Sequence, residues 1–196
     1  MYSEKPVTLL VMPPINNTNN VEAKDLLFTS IARPLTEAGY YVIPPFLTME
    51  VLRAESAYDS ELFIEGKLDK FKQFFGADAI VFSIIDTWEK QGFGIRTKIH
   101  YIIKSAKTNE IIFDRSCDLY LDLSSNTNSS NNNSFANMLA DLTISVVNTA
   151  LTKHIVAARK TNDYIFKDIP SGPYRENYLN DMDESAEMKD IKKTIK

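Results

Sequence analysis

The chain has 196 residues, 44% hydrophobic and 24% charged, with a formal net charge of −4, the composition of one globular domain able to bury a core. The acidic balance excludes a non-specific nucleic-acid binder, which needs a basic face to neutralise phosphates. Cys117 is the only cysteine, which excludes an intramolecular disulfide and a cysteine-built metal site.

The first element is the apolar run Val7–Met12, followed by Pro13-Pro14 and a loop rich in Asn and Thr. Proline cannot donate to a sheet ladder, so the pair is expected to end a buried strand. Pro13, Pro14 and Asn16 are expected to shape the strand exit and cap the next helix. In that helix Val21, Leu27, Ile31, Leu35 and Ala38 recur at helical spacing, with Pro34 as a kink or restart and Gly39 as the C-terminal cap. Tyr40–Ile43 reads as a second strand stopped by Pro44-Pro45, and two strands ending alike around a helix predict a parallel pair.

Phe46–Arg53 fits either an extended segment or a short helix. The aromatic-rich stripe from Leu62 to Phe75, closed by Gly76, predicts one further helix. Asp78–Ile85 is continuously apolar, the mark of a central strand covered on both faces. The period then becomes two. Ile95, Thr97, Ile99, Tyr101 and Ile103 alternate with Arg96, Lys98, His100 and Lys104, and Ile111–Leu123 alternates likewise with Asp114, Asp118 and Asp122 on its polar face. These are two antiparallel strands with oppositely charged wet faces. The Asn/Ser-rich run 124–134 reads as a mobile polar loop, and Phe135 to about Arg159 as a final amphipathic helix.

Together these elements predict an α/β fold: a single domain around a mixed sheet of about five strands, with a parallel N-terminal β-α-β-α-β followed by an antiparallel β-β. A C-terminal helix packs on that sheet. The domain is expected to span 1–160, an irregular segment pinned by its aromatics to span 161–180, and a disordered tail to span 181–196.

No catalytic, cofactor-binding or metal-ligating residue is assigned. His100 lies on a charged strand face, His154 lies near a helix end, and Cys117 falls on an inward strand face where a thiol is inert. No glycine-rich phosphate loop follows a strand, and no cofactor is expected. Candidate binding residues are Pro13, Pro14, Asn16, Thr18, Pro44 and Pro45, in loops at strand ends. Candidate interface residues are the aromatics Trp88, Tyr101, Tyr120 and Tyr174. Three readings stand: a protein-binding or self-associating module, a binder of a small or lipid-like ligand in the cleft beside Pro13–Thr18 and Pro44–Leu47, and, least favoured, an enzyme with an unrecognised site. No apolar run approaches the roughly 20 residues that span a bilayer. Met1–Lys5 lacks a signal-peptide pattern, so Met1 is expected to be a cytoplasmic start or one placed after a removed signal.

Three pieces in order carry a family resemblance: V-M-P-P-x-N-x-T from Val11 to Thr18, R-P-L-T-E-A-G-Y-Y-V-I-P from Arg33 to Pro44, and I-P-S-G-P-Y from Ile169 to Tyr174 with Tyr178. Over nearly its whole length the chain resembles the GNA-type bacterial lipoproteins of unknown function, of the meningococcal surface-antigen type. Their fold is similar to the N-terminal domain of TolB and the periplasmic domain of CsgG, the curli secretion channel. The resemblance implies a lipid-anchored, non-enzymatic protein of the bacterial cell envelope, facing the periplasm or the outside, with its signal peptide and anchor lost upstream of Met1. It further implies a role in envelope biogenesis or export beside a CsgG-like lipoprotein partner or as a homo-oligomer, with no catalytic residues to carry over.

Overall fold

The computed structural model describes residues 1–124 and 150–195. Strand β1 (Thr8–Val11) and the two-residue β2 (Ile15–Asn16) precede helix α1 (Ala23–Glu37) and strand β3 (Tyr41–Val42). Helices α2 (Pro45–Ala54), α3 (Glu61–Ile64) and α4 (Asp69–Phe75) follow. The long strands β4 (Ala79–Gln91), β5 (Gly94–Ser105) and β6 (Ile111–Asp122) come next, then α5 (Ala150–Phe166) and β7 (Asp190–Ile195).

Among the described residues seven strands form one sheet, ordered β3-β1-β4-β5-β6-β7 with β2 also paired to β4. β1 runs parallel to β3 and β4, the long β4-β5-β6 meander is antiparallel, and β7 is parallel to β6. The mixed α/β architecture with a C-terminal helix is as the hydrophobic periods predict, and the sheet gains two strands.

One face of the sheet carries Leu9, Val11, Val81, Ile99, Tyr101, Leu119 and Leu121 against α1 and α5. Burying Leu27, Phe28, Ile31 and Leu35 of α1 there contributes roughly 1.5–3 kcal/mol per side chain. A buried polar ladder fixes α5 on the sheet: Thr97 and Thr161 share a 2.7 Å hydrogen bond, and Tyr101 donates to Asn162 at 2.7 Å. Asn162 in turn donates to Ser30 of α1 at 2.9 Å. Among the described residues the opposite face is covered at the β1/β4 end, where Leu10, Ile80 and Phe82 meet Leu52 of α2, Phe71 of α4 and Leu68 just before it. From Asp86 onward that face of β4, β5 and β6 faces solvent.

Pro13-Pro14 does not end the pairing. The prolines bridge two paired segments of one edge, because Met12 N–H still donates to Val81 and Asn17 N–H to Ile85. Pro44-Pro45 stops β3 and starts α2, with Pro45 in the first turn where its missing N–H costs nothing. The single helix expected over 62–75 is two. Lys104 Nζ donates to the Ile64 carbonyl, Asn109 Nδ2 donates to the Gly66 carbonyl, and Asn109 Oδ1 accepts from the Leu68 N–H, so the chain leaves the helix after Ile64. α5 continues to Phe166, so the irregular segment begins after that residue rather than at 161. The tail expected to be disordered contributes β7, because Ile191 finds a buried place and β6 offers a free edge. The Asn/Ser-rich run beyond Ser124 and the helix start at Phe135 lie outside the described residues.

The segment after α5 docks through glycine. Gly172 N–H donates to the Ala38 carbonyl at 2.7 Å, Tyr174 N–H to Gly39 at 3.0 Å, and the Tyr40 hydroxyl to Pro170 at 2.6 Å. Gly39 (φ +88°) ends α1 in the left-handed region, and a β-carbon on Gly172 would lie 2.3 Å from its carbonyl oxygen. The second and third sequence signatures therefore meet in one clamp.

Candidate protein-binding face

The loop at the carboxyl end of β1 is occupied with itself. Asn16 Oδ1 accepts from the Thr18 N–H at 3.1 Å and the Thr18 hydroxyl at 2.8 Å, and Asn16 Nδ2 donates to the Asn20 carbonyl at 2.8 Å. Asn20 Oδ1, not Asn16, accepts the first free amides before α1, those of Glu22 and Ala23 at 3.0 and 3.1 Å. Pro13 and Pro14 are buried, with the Pro13 carbonyl accepting from Ser60 Oγ, whereas Pro44 is exposed and Pro45 half-buried. These groups build a rigid strand exit, and their polar atoms are committed to one another rather than turned toward a cleft.

The open face of β4–β7 is where charge concentrates. Arg96 grips Asp118 with two hydrogen bonds, Nε at 2.9 Å and a terminal nitrogen at 2.7 Å, in the bidentate geometry guanidinium favours. That grip holds the Asp118 carboxyl below its usual range and raises Arg96 further. Lys98 reaches Asp86 at 3.7 Å. Asp114 lies 2.6 Å from His100 Nε2 and 2.5 Å from Lys189 Nζ. Its partial burial pushes the pKa up, but the hydrogen bonds from Lys189 and His100 outweigh that and the net shift is downward. Ser116 donates to Asp190 at 2.6 Å, tying β7 into the same network.

A shallow groove of about 470 Å³ runs along this face, lined by Gln91, Gly92, Arg96, Asp118, Tyr120 and Lys192. Tyr120 lies across Gly94, where a β-carbon would stand 2.7 Å from the ring, and its hydroxyl donates to the Gln91 carbonyl at 3.1 Å. Chemically the face is a rigid array of fixed, alternating charges with one aromatic, suited to matching another polar surface.

Of the four aromatics expected at an interface, the structure places Tyr120 on this face and leaves Tyr174 71% exposed beside the Gly39–Gly172 clamp. Trp88 and Tyr101 are in the core, at 3% and 0% exposure, and the interface role expected of them is corrected: both occupy the inward parity of their strands. Trp88 stacks on His154 with centroids 5.9 Å apart. Cys117 is buried against α5, and burial pushes its thiol up to about 12. Among the described residues no group of three or more His, Cys, Asp or Glu could hold a metal ion, and no helix is long and apolar enough to cross a membrane.

The reading of residues missed Arg115. It sits on the inward parity of β6, is 6% exposed, and pairs with Asp168 while donating to the Ile165 carbonyl at 2.9 Å. A charged residue at an apolar position of a strict alternation was the available signal.

Comparison with known proteins locates the chain. The family described as “Putative lipoprotein GNA1162-like” matches residues 1–169. “Putative lipoprotein NMB1124/NMB1162” of Neisseria meningitidis serogroup B is 33% identical over 78 residues, 40% of this chain; the match spans only 36% of that relative's length. The crystal structure of lipoprotein GNA1162 from Neisseria meningitidis superposes with a TM-score of 0.56 at 23% identity, over 70% of this chain and 93% of that one. The hypothetical protein CT253 of Chlamydia trachomatis gives 0.50 at 12% identity, over 83% and 92%. Both structural likenesses concern the fold. With its profile spanning β1 through α5, the chain belongs to the GNA1162-like family of cell-envelope lipoproteins of unknown function.

Proposed function

We propose that this chain is a non-enzymatic protein-binding or assembly module of the bacterial envelope, acting in envelope biogenesis or export with a CsgG-like lipoprotein and held at the membrane by a lipid anchor. The observation that supports this is the open face of β4–β7, where Arg96–Asp118, Lys98–Asp86 and Asp114 with His100 and Lys189 hold a fixed pattern of charge around Tyr120. Arg and Tyr are the side chains that most often anchor protein interfaces, and preset ion pairs lower the cost of ordering on association. Solvated ion pairs contribute little to folding, roughly 0–1 kcal/mol each, so stability alone does not account for the array.

The test is photo-crosslinking in cells, with a photoreactive residue replacing Lys98 or Thr194 on the face, or Glu50 on α2 as control, in the full-length lipoprotein. Adducts containing a CsgG-like lipoprotein are expected from the two face positions. Their absence there, or equal yield from position 50, would count against the reading.

A further inference from the structure

Strand β7 lies beyond residue 169, where the family match ends, and closes the edge of β6 in parallel register from Ser116 opposite Asp190 to Leu121 opposite Ile195. Its grip is largely polar. Lys189 pairs with Asp114, Asp190 accepts from Ser116, and the Glu187 carbonyl accepts from Arg115 at 3.4 Å while its N–H donates to Asp168. Ile191 is the one buried side chain of the strand.

Before it, residues 182–186 are all exposed. They arch over a hollow of about 450 Å³, walled on the body side by Ile112, Phe113, Arg115 and Asp168. The last firm anchor ahead of this arch is Asp181, whose carboxylate accepts from the Ser171 N–H at 2.6 Å and the Tyr2 hydroxyl at 3.1 Å.

We propose that β7 is an exchangeable strand, and that the β6 edge it closes receives the β7 of a second copy of this chain. The β6 edge is a complete template: its inner residues Cys117, Leu119 and Leu121 are buried in the core, and its backbone groups call for a strand. What fits there is specified by charge. Acidic Asp114 and Asp118 stand along β6 opposite the basic Lys189 and Lys192, and a slot beside Cys117 takes the Ile191 side chain.

A second copy supplies that same strand, so every contact is reproduced, and reciprocal exchange closes a two-fold pair. Five hinge residues reach at most about 17 Å, so the two bodies sit against each other. Exchange leaves the face proposed above for a partner in place, because Lys189 of a second copy restores the pair with Asp114, and the two proposals are read by different crosslinked products, so either can fail alone.

The test uses full-length chains carrying Cys117→Ala. One adds Ser116→Cys, a second adds Asp190→Cys, and a third carries both; each is oxidised with glutathione disulfide and run on non-reducing gels. The third chain is expected to close within itself, and the mixture of the first two to give a covalent pair well above a mixture in which Glu50→Cys replaces Ser116→Cys. Closure in the third chain with no pairing above control in the mixture overturns the proposal, as does failure of the third chain to close. Light scattering of the unaltered chain provides an independent reading: a dimer fraction that grows with concentration is expected, and a strictly monomeric mass at all concentrations overturns it.

Discussion

The hydroxyl of Tyr101 on β5 donates to Asn162 Oδ1 of α5 at 2.7 Å, in a core where neither residue has any exposed surface. Tyr101→Phe keeps the ring against Phe166 but leaves a buried amide oxygen without its donor, which costs about 1–3 kcal/mol. Urea denaturation should show that loss for Tyr101→Phe and almost none for Tyr174→Phe, whose ring is exposed. Equal midpoints for the two variants would show that the Thr97–Thr161–Asn162 ladder does not hold α5 in place.

Gly172 and Gly76 make a matched pair. A methyl group at 172 would stand 2.3 Å from the Gly39 carbonyl oxygen, whereas Gly76, at φ +70°, has nothing within 4 Å of the same position. Gly172→Ala is expected to lift the tail from the α1–β3 turn at about 2–3 kcal/mol. Gly76→Ala should incur only the left-handed backbone cost of about 1 kcal/mol. Thermal melts of both variants check the order.

Asp78 anchors β1. Its Oδ2 accepts from the Val7 and Thr8 amides at 3.0 Å each, and its Oδ1 from Lys72 at 3.1 Å. Burial pushes the carboxyl up, but the Thr8 amide, Lys72 and the Val7 amide together bring it below its ordinary value. A carboxyl depressed in the folded state stabilises above its unfolded pKa, and that contribution is lost as pH falls through the folded value. Asp114, Asp118, Asp168 and Asp181 are shifted the same way. Stability should therefore hold steady from neutral pH to about 5 and fall below about 4. Asp78→Asn should cost about 1–2 kcal/mol at pH 7 and make the acid fall shallower, measured as urea midpoint against pH.

Cys117 supplies a reporter of global opening. With its thiol buried and raised to about 12, it should stay unreactive toward a disulfide reagent at pH 8 in the folded chain and react at once in urea. Rapid native labelling would show that β6 separates from α5 on a short timescale.

The periods of two and the continuous run at 78–85 made β4, β5 and β6 readable, because burial imposes the alternation directly on the sequence. Tyr101 shared its inward parity with Ile99 and Ile103, so the alternation itself contradicted an interface role for it. The break between α3 and α4 was not legible near Gly66. It is imposed by Lys104 and Asn109, some forty residues away. Nor was β7: Asp190–Ile195 has two apolar residues and four polar or charged ones, and only the β6 edge makes it a strand. The charged face could be read as two opposite stripes. Its pairing could not, since Arg96 lies opposite Tyr120 in register yet reaches diagonally to Asp118.

The clamp at Gly39 has a consequence in time. Tyr40 waits for a partner 130 residues further along the chain and Tyr2 for one 179 residues further. A polypeptide emerging amino end first therefore presents β1, α1 and β4 long before the segment that seals them exists. Through that interval its apolar strands are open to holding factors and to one another, and vectorial emergence rather than final stability sets the period of greatest exposure to misassembly.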